Sequence, residues 1–190
     1  IKVLNFVHKD FTGFATKPYG LEFWIDASYS FDAVLAGKPG KYTRKKRGML
    51  RSASERYAVE HGASQEAVNE VFQEWIKGAG SRHFMVIKGH YQSYIDRYFK
   101  NKNNVRFLSF IAPDGTLHGV AGYEVFKGAA QITLMKHRFG DNNFPLFFWT
   151  ETINQILLNK EVRKVFCGST ADELKRLLGF HSEKSFKITI

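Results

Sequence analysis

A carboxylate inside an apolar strand, a lysine on an amphipathic helix, a histidine closing a strand and a dense basic run have the most chemical reach in this chain. Glu124 lies in Val120-Ala121-Gly122-Tyr123-Glu124-Val125-Phe126. A carboxylate facing a cleft there would have a raised pKa and serve as a general base, because desolvation penalises its charged form. Strand alternation sets it opposite to Tyr123 and Val125, so a solvent-facing position is the alternative. Lys175, in Asp172-Glu173-Leu174-Lys175-Arg176-Leu177-Leu178, could place positive charge where an oxyanion develops. The alternative is a solvated lysine on an amphipathic helix. His137 could take a proton. With Arg138 it ends a strand, and Gly140, Asp141, Asn142 and Asn143 follow in a polar loop.

The basic run is the clearest binding signal. From Lys41 to Arg56 seven basic side chains and one acid occupy sixteen positions. On a helix, Arg44, Arg47 and Arg51 share a face at i, i+3 and i+7, with Lys45 and Lys46 beside them and Lys41 before them. Each phosphate contacted by such a face releases a counterion and steepens salt dependence. The whole chain carries 28 Lys and Arg against 18 Asp and Glu, a net +10, which favours an anionic partner. Tyr42 and Tyr57 could stack on bases, as could Tyr91, Tyr94 and Tyr98, although helical spacing places those three in a core first.

Several classes are excluded. The seven His residues show no ligand spacing such as His-Glu-x-x-His, and the single cysteine, Cys167, forms no disulfide framework or cysteine-rich zinc site, so no metal is expected. Cys167 lies in a short apolar strand and reads as buried, not nucleophilic. No phosphate-binding P-loop and no serine-hydrolase elbow is present. No apolar run approaches the about 20 residues needed to span a bilayer. The first residues, Ile1-Lys2-Val3-Leu4-Asn5-Phe6-Val7-His8, lack a signal peptide's apolar centre and an initiator Met, so the chain reads as processed or trimmed. A cytoplasmic location with no membrane partner is the expectation.

The elements that must position these residues read as one mixed domain over 1–190. Residues 1–36 carry short β-like runs, Val3–Val7 and Tyr19–Ile25. Gly37-Lys38-Pro39-Gly40 is a turn, and the basic run follows as a helix that Gly48 weakens by about 1 kcal/mol relative to Ala. Ser64 caps a helix whose Val68, Val71, Phe72, Trp75 and Ile76 fall on one face. Gly78 and Gly80 end it, and a shorter helix holds Tyr91, Tyr94, Ile95 and Tyr98. Three strands, Val105–Ala112, Thr116–Phe126 and Ala129–His137, are joined by tight turns into an antiparallel meander. Pro145 opens a helix to about Leu158. Lys164–Cys167 is a strand, Ser169 or Thr170 caps a helix closed by Gly179 at C′, and Ser185–Ile190 is a final strand. The class is α/β, of α+β-like character: a mixed, mostly antiparallel sheet with a central meander, flanked by helices.

Residues 105–190, closing on Leu178-Gly179-Phe180, resemble the GNAT acyltransferase superfamily, in which a meander leads into helix, strand, helix and strand. The superfamily's loop Arg/Gln-x-x-Gly-x-Gly/Ala, which binds the coenzyme A pyrophosphate, is replaced by His137-Arg138-Phe139-Gly140-Asp141-Asn142-Asn143-Phe144-Pro145. One Gly remains, and an Asp stands where anion binding would want none. Lys175 ahead of Gly179-Phe180, and Lys45-Lys46-Arg47-Gly48-Met49-Leu50-Arg51-Ser52-Ala53, look like the Fem-type aminoacyltransferases, which take aminoacyl-tRNA and also lack the regular loop. That likeness covers roughly residues 20–190.

The resemblance implies an acyl- or aminoacyltransferase with a nucleic-acid-borne donor or acceptor: aminoacyl-tRNA, or an amino group on a modified DNA base. In it Lys175 stabilises the oxyanion, and Glu124 or His137 takes the proton. Arg138, Gly140, Asp141, Asn142 and Asn143 meet substrate or donor, while Lys41, Arg44, Lys45, Arg47 and Arg51 hold the nucleic-acid backbone. Two alternatives stay open: a non-catalytic nucleic-acid-binding module of the same fold, and an acetyl-CoA-dependent N-acetyltransferase with an irregular loop. Convergence of Glu124, Lys175 and the 137–143 loop on one cleft favours the enzyme, and dispersal favours the module.

Overall fold

The computed structural model describes residues 3–7, 16–78, 95–96, 99–100, 105–168 and 172–189. Its elements are β1 Val3–Val7, β2 Thr16–Asp26, α1 Phe31–Ala36, α2 Gly40–Ser54, β3 Ala58–His61, α3 Gln65–Gly78, β4 Val105–Ile111, β5 Leu117–Phe126, β6 Ala129–His137, α4 Phe144–Leu157, β7 Lys164–Cys167, α5 Asp172–Leu177 and β8 His181–Thr189. One eight-stranded sheet runs β1-β8-β2-β7-β6-β5-β4-β3. Every pairing is antiparallel except β6 with β7. A mixed, mostly antiparallel sheet flanked by helices is the class the sequence predicts, and β4, β5 and β6 are its meander.

Hydrophobic alternation assigns the two faces. On β4, β5 and β6, Leu108, Phe110, Ala121, Tyr123, Ala130 and Ile132 pack against α1, α2 and α4. On the other face Val120 and Leu134 meet Val68, Val71, Phe72 and Ile76 of α3. α4 is apolar nearly all round, with Phe144, Phe148, Ile153 and Ile156 fully buried, and each such side chain contributes about 1.5–3 kcal/mol of burial free energy. Gly119 lets α4 approach: a Cβ there would sit 2.9 Å from the Phe144 ring.

The helix ends follow their sequence signals. Ser64 Oγ accepts the Ala67 N–H at 3.1 Å, opening α3 as a cap should. Pro145 occupies the first turn of α4. Gly179 has φ +81, its N–H donates to the Arg176 carbonyl, and the Phe180 N–H donates to the Lys175 carbonyl, so α5 ends in a Schellman motif.

Several details differ from the sequence expectation: β8 begins at His181 and not at Ser185, and β2 begins at Thr16 and not at Tyr19. Phe31–Ala36, to which the sequence assigns no element, is a helix with Phe31 and Leu35 buried. Gly40 begins α2 and does not belong to the preceding turn. Ala58–His61 is an extra edge strand, paired with Leu108–Ile111. The expected caps Ser169 and Thr170, Gly80, and the tyrosines Tyr91, Tyr94 and Tyr98 lie outside the described residues. No helix among the described residues is long and apolar enough to cross a membrane.

Candidate functional site

β6 and β7 run side by side for only four residues. Ala129, Ala130, Gln131 and Ile132 pair with Lys164, Val165, Phe166 and Cys167. β6 then continues through Thr133 to His137 with β5 as its pairing partner, so the parallel pair opens over about 16 Å of strand. Lys175 lies at the carboxyl end of β7, and His137 lies at the far end of β6, against the first turn of α4.

Lys175 is 1% exposed. Its Nζ donates to the Cys167 carbonyl at 3.2 Å and to the Gly168 carbonyl. The ammonium also lies 4.8 Å from the Phe23 ring centre and 5.9 Å from that of Trp149, in the geometry of a cation–π contact. A buried ammonium needs such compensation. Cys167 beside it is buried, and desolvation pushes its thiol up to about 12.

His137 packs against Phe144, Phe148 and Phe139 at centroid distances of 5.5, 5.7 and 5.9 Å. Its Nδ1 is 2.7 Å from the Arg138 carbonyl. A carbonyl only accepts, so Nδ1 carries the hydrogen and Nε2 keeps its lone pair. Burial, and then the neighbouring Lys136, hold this imidazole below its ordinary pKa. His118 flanks the same Phe144 at 4.4 Å. Burial and then His137 lower its pKa too, and its buried Nε2 has no partner.

The 138–143 loop is largely committed to the fold. Arg138 donates from Nε to the Leu117 carbonyl and from its terminal nitrogens to Glu74 and Glu70, each at 2.8 Å, clamping β5 to α3. Asp141 accepts from Tyr57 OH at 2.9 Å, Arg56 at 2.8 Å and the Asn143 N–H at 2.9 Å. Burial opposes its charge, yet the Asn143 N–H, the Tyr57 hydroxyl and Arg56 outweigh it and hold the carboxyl below its ordinary range. Burial and the bond to Asp141 push Tyr57 up to about 12. The carboxylate thus stands just ahead of the start of α4. Gly140 takes φ +116 in the turn, Asn142 is exposed, and Asn143 is half-buried.

Glu124 lies elsewhere. It pairs opposite Gln131, whereas His137 pairs opposite Gly119, a separation of about 17 Å along β5. Tyr123 and Val125 pack on the α4 face, so Glu124 alternates to the other face. Lys175, Glu124 and His137 therefore do not converge on one cleft. Lys175 and His137 stand on the α4 face at the two ends of the opening between β6 and β7.

On α2, Tyr42, Met49, Leu50 and Ala53 turn into the core, and Lys41, Arg44, Lys45, Arg47 and Arg51 are exposed. Arg47 pairs with Asp32 at 2.8 Å. Lys41, Arg44, Lys45 and Arg51 have no carboxylate partner among the described residues. Lys46 folds back over the Tyr42 ring at 5.5 Å. Tyr57 is 9% exposed within an aromatic cluster, so its ring is not an open stacking platform.

No family model and no curated protein matches the chain. Solved structures do. L-PGS from Bacillus licheniformis superposes with a TM-score of 0.65 at 9% identity, over 98% of this chain and 66% of that one. FemX gives 0.62 at 11% identity, over 97% and 64%. A GCN5-related N-acetyltransferase from Sphaerobacter thermophilus gives 0.51 at 11% identity, over 92% and 52%. The fold is GNAT-like. His137 ends β6, and Arg138 to Asn143 link it to the start of α4. The chain spans less than two thirds of the length of each of these structures.

Sequence reasoning placed Arg56 in the basic run and Tyr57 among the base-stacking aromatics and gave His118 no role, whereas all three reach the loop from other elements. Tyr57 and Asp141 are 84 residues apart, and no local pattern announces such a pair. Among the described residues no group of three or more His, Cys, Asp or Glu could hold a metal ion.

Proposed function

We propose that the chain is an acyl- or aminoacyltransferase of GNAT-like fold, with a donor or acceptor carried on a nucleic acid. Aminoacyl-tRNA is the first candidate donor, and an amino group on a modified DNA base is an alternative acceptor. The observation that carries this reading is the parting of β6 from β7 next to His137, whose Nε2 keeps a lone pair. An acceptor amine in that opening would give its proton to Nε2 as it attacks the donor carbonyl. The departing oxygen would then take the proton back. Lys175, at the other end of the opening and donating to the Cys167 and Gly168 carbonyls, would hold α5 against the end of β7 and would not meet the oxyanion that forms beside His137. Lys41, Arg44, Lys45 and Arg51 would contact phosphates, and Arg47 would join them by exchanging Asp32 for phosphate. In the loop, Arg138, Gly140 and Asp141 shape the entrance to α4. The side-chain amides of Asn142 and Asn143 have no partner among the described residues and remain for substrate.

The Asp141 carboxylate at the start of α4 argues against coenzyme A as donor, because it would repel a pyrophosphate there. A thermal-shift screen against acetyl-CoA, aminoacyl-tRNA and single- or double-stranded DNA, at low and high salt, tests this. A salt-sensitive shift with a nucleic acid and none with acetyl-CoA supports the reading. A shift with acetyl-CoA alone overturns its nucleic-acid part. A second reading, a nucleic-acid-binding module without catalysis, draws on the separation of Glu124 from Lys175 and His137. Binding with no transfer to any acceptor would select it.

A further inference from the structure

The aromatic of the 138–143 loop, Phe139, belongs to no core. Three large apolar side chains are exposed among the described residues: Phe126 and Leu158, each at 71%, and Phe139, at 53%. Phe126 closes β5 about 27 Å along the strand from the level of His137. Leu158 follows the last turn of α4, about 21 Å from the helix start that His137 packs against. Phe139 alone among them lies beside the β6–β7 opening, with its ring centre 5.9 Å from that of His137.

The Phe139 ring is held although it is exposed. One edge lies against Gly78 at the end of α3, where an added Cβ would overlap Cδ2 and Cε2 of the ring. Gly78 is helical and has no positive φ, so the backbone there does not require glycine, and the ring does. An aromatic side chain fixed along one edge and open elsewhere loses little rotamer freedom when a flat group covers it.

A nucleobase is such a group. Every base has a π-face, and its stacking on an aromatic side chain tolerates any sequence. A base is also uncharged, so the Asp141 carboxylate, already joined to Arg56 and Tyr57, does not oppose it. The 5.9 Å between the two rings is comparable with the distance from a base to the hydroxyls of its own ribose. A base on Phe139 therefore sets a ribose ester beside the imidazole whose Nε2 keeps its lone pair. Lys77, exposed and next to Gly78, has no carboxylate partner among the described residues and adds positive charge at the same end of α3.

We propose that Phe139 is the stacking platform for the terminal base of an RNA strand that carries the acyl group, and that it holds the ribose ester at His137. The choice of a nucleobase among flat groups rests on the first candidate donor of the proposed function, whereas the open, pinned ring beside His137 does not.

Fluorescence anisotropy on the full chain tests this with two single-stranded RNA oligonucleotides of about 12 nucleotides, labelled at the 5′ end. They are identical except that one lacks its 3′-terminal base and keeps the sugar and phosphates. The wild type binds the complete strand about 5- to 150-fold more tightly than the abasic one, the range expected for stacking one base. Phe139→Leu binds both strands with the affinity of the abasic one, and Phe139→Trp restores the difference. Gly78→Ala, which drives the ring from its seat while favouring the helix, narrows the difference at an unchanged or higher melting temperature. No variant changes the salt slope, because no phosphate contact is lost. Equal affinity for the two strands, or a preference that survives Phe139→Leu, overturns the inference and leaves salt-dependent binding through α2 standing. Binding of neither strand at low salt overturns the RNA part of the proposed function, and the inference with it.

Discussion

Acidification from about pH 7.5 to 5.5 should weaken the fold chiefly through two imidazoles. His118 and His137 flank Phe144, and burial holds both below the ordinary value of 6.5. The unfolded chain therefore takes up protons at a pH where the folded protein stays neutral. Stability rises with pH wherever the unfolded state binds more protons, so it is full above 6.5 and falls below it until the folded groups protonate. Each imidazole contributes a slope of at most about 1.4 kcal/mol per pH unit, and the two together at most about 2.7. Because each charge disfavours the other, the protons enter the folded state in two steps. Asp141 acts elsewhere: its depressed pKa gives stability that is present above the ordinary carboxyl value of 3.8 and is lost as pH falls through the folded value. Urea titrations in half-unit steps of pH, on the wild type, His118→Asn, His137→Asn and the double variant, measure the slope. A steep loss is expected in the wild type, about half of it in each single variant, and a flat profile in the double. A flat wild-type profile, or a double variant as steep as the wild type, would show that these imidazoles do not fold buried and neutral.

Gly179→Ala should lower stability by about 1–3 kcal/mol, because φ is +81 and the new Cβ would lie 2.5 Å from Val34 Cγ2. An unchanged thermal midpoint would show that α5 does not depend on its Schellman end. Iodoacetamide should leave Cys167 unmodified in the native protein and label it only after unfolding, given a 2% exposed thiol with its pKa pushed up to about 12. Labelling under native conditions, followed by intact mass, counts against the packing around β7. Replacing Arg44 and Arg51 by Ala should flatten the log–log salt dependence of tRNA binding by about 0.7–0.9 for each phosphate no longer neutralised. An identical slope would remove α2 from the interface.

The elements that build the β6–β7 opening were legible because each carries a local signal. Two tight turns isolate β5 and β6, Pro145 marks the start of α4, and Gly179 marks the end of α5. Both β6 and β7 have the bounds the sequence predicts. The exposed face of α2 was legible too, because basic residues at i, i+3 and i+7 leave the intervening Met49, Leu50 and Ala53 to face inward. α1 was not legible: six residues give barely one and a half turns, too few for a helical period to stand out. β3 was hidden because a four-residue edge strand with one half-buried side chain lacks alternation. Long-range polar pairings were invisible for a different reason. Arg138 reads as a free loop cation until Glu70 and Glu74 of α3 close on it, and Asp141 reads as a loop acid until Tyr57 and Arg56 arrive from beyond α2. Lys175 reads from the sequence as an oxyanion charge or a solvated lysine, and its burial on the carbonyls of Cys167 and Gly168 is announced by neither.

The most direct test of the central claim follows loss of the acyl group from labelled aminoacyl-tRNA, to water or a small amine acceptor, with wild type, His137→Gln and Glu124→Gln. Protein-dependent acyl loss is expected, reduced about 100-fold or more by His137→Gln and unchanged by Glu124→Gln. Glu124 lies on the opposite sheet face and about 17 Å along β5 from the level of His137. Acyl loss equal in His137→Gln and wild type, or none above the protein-free rate, would contradict it.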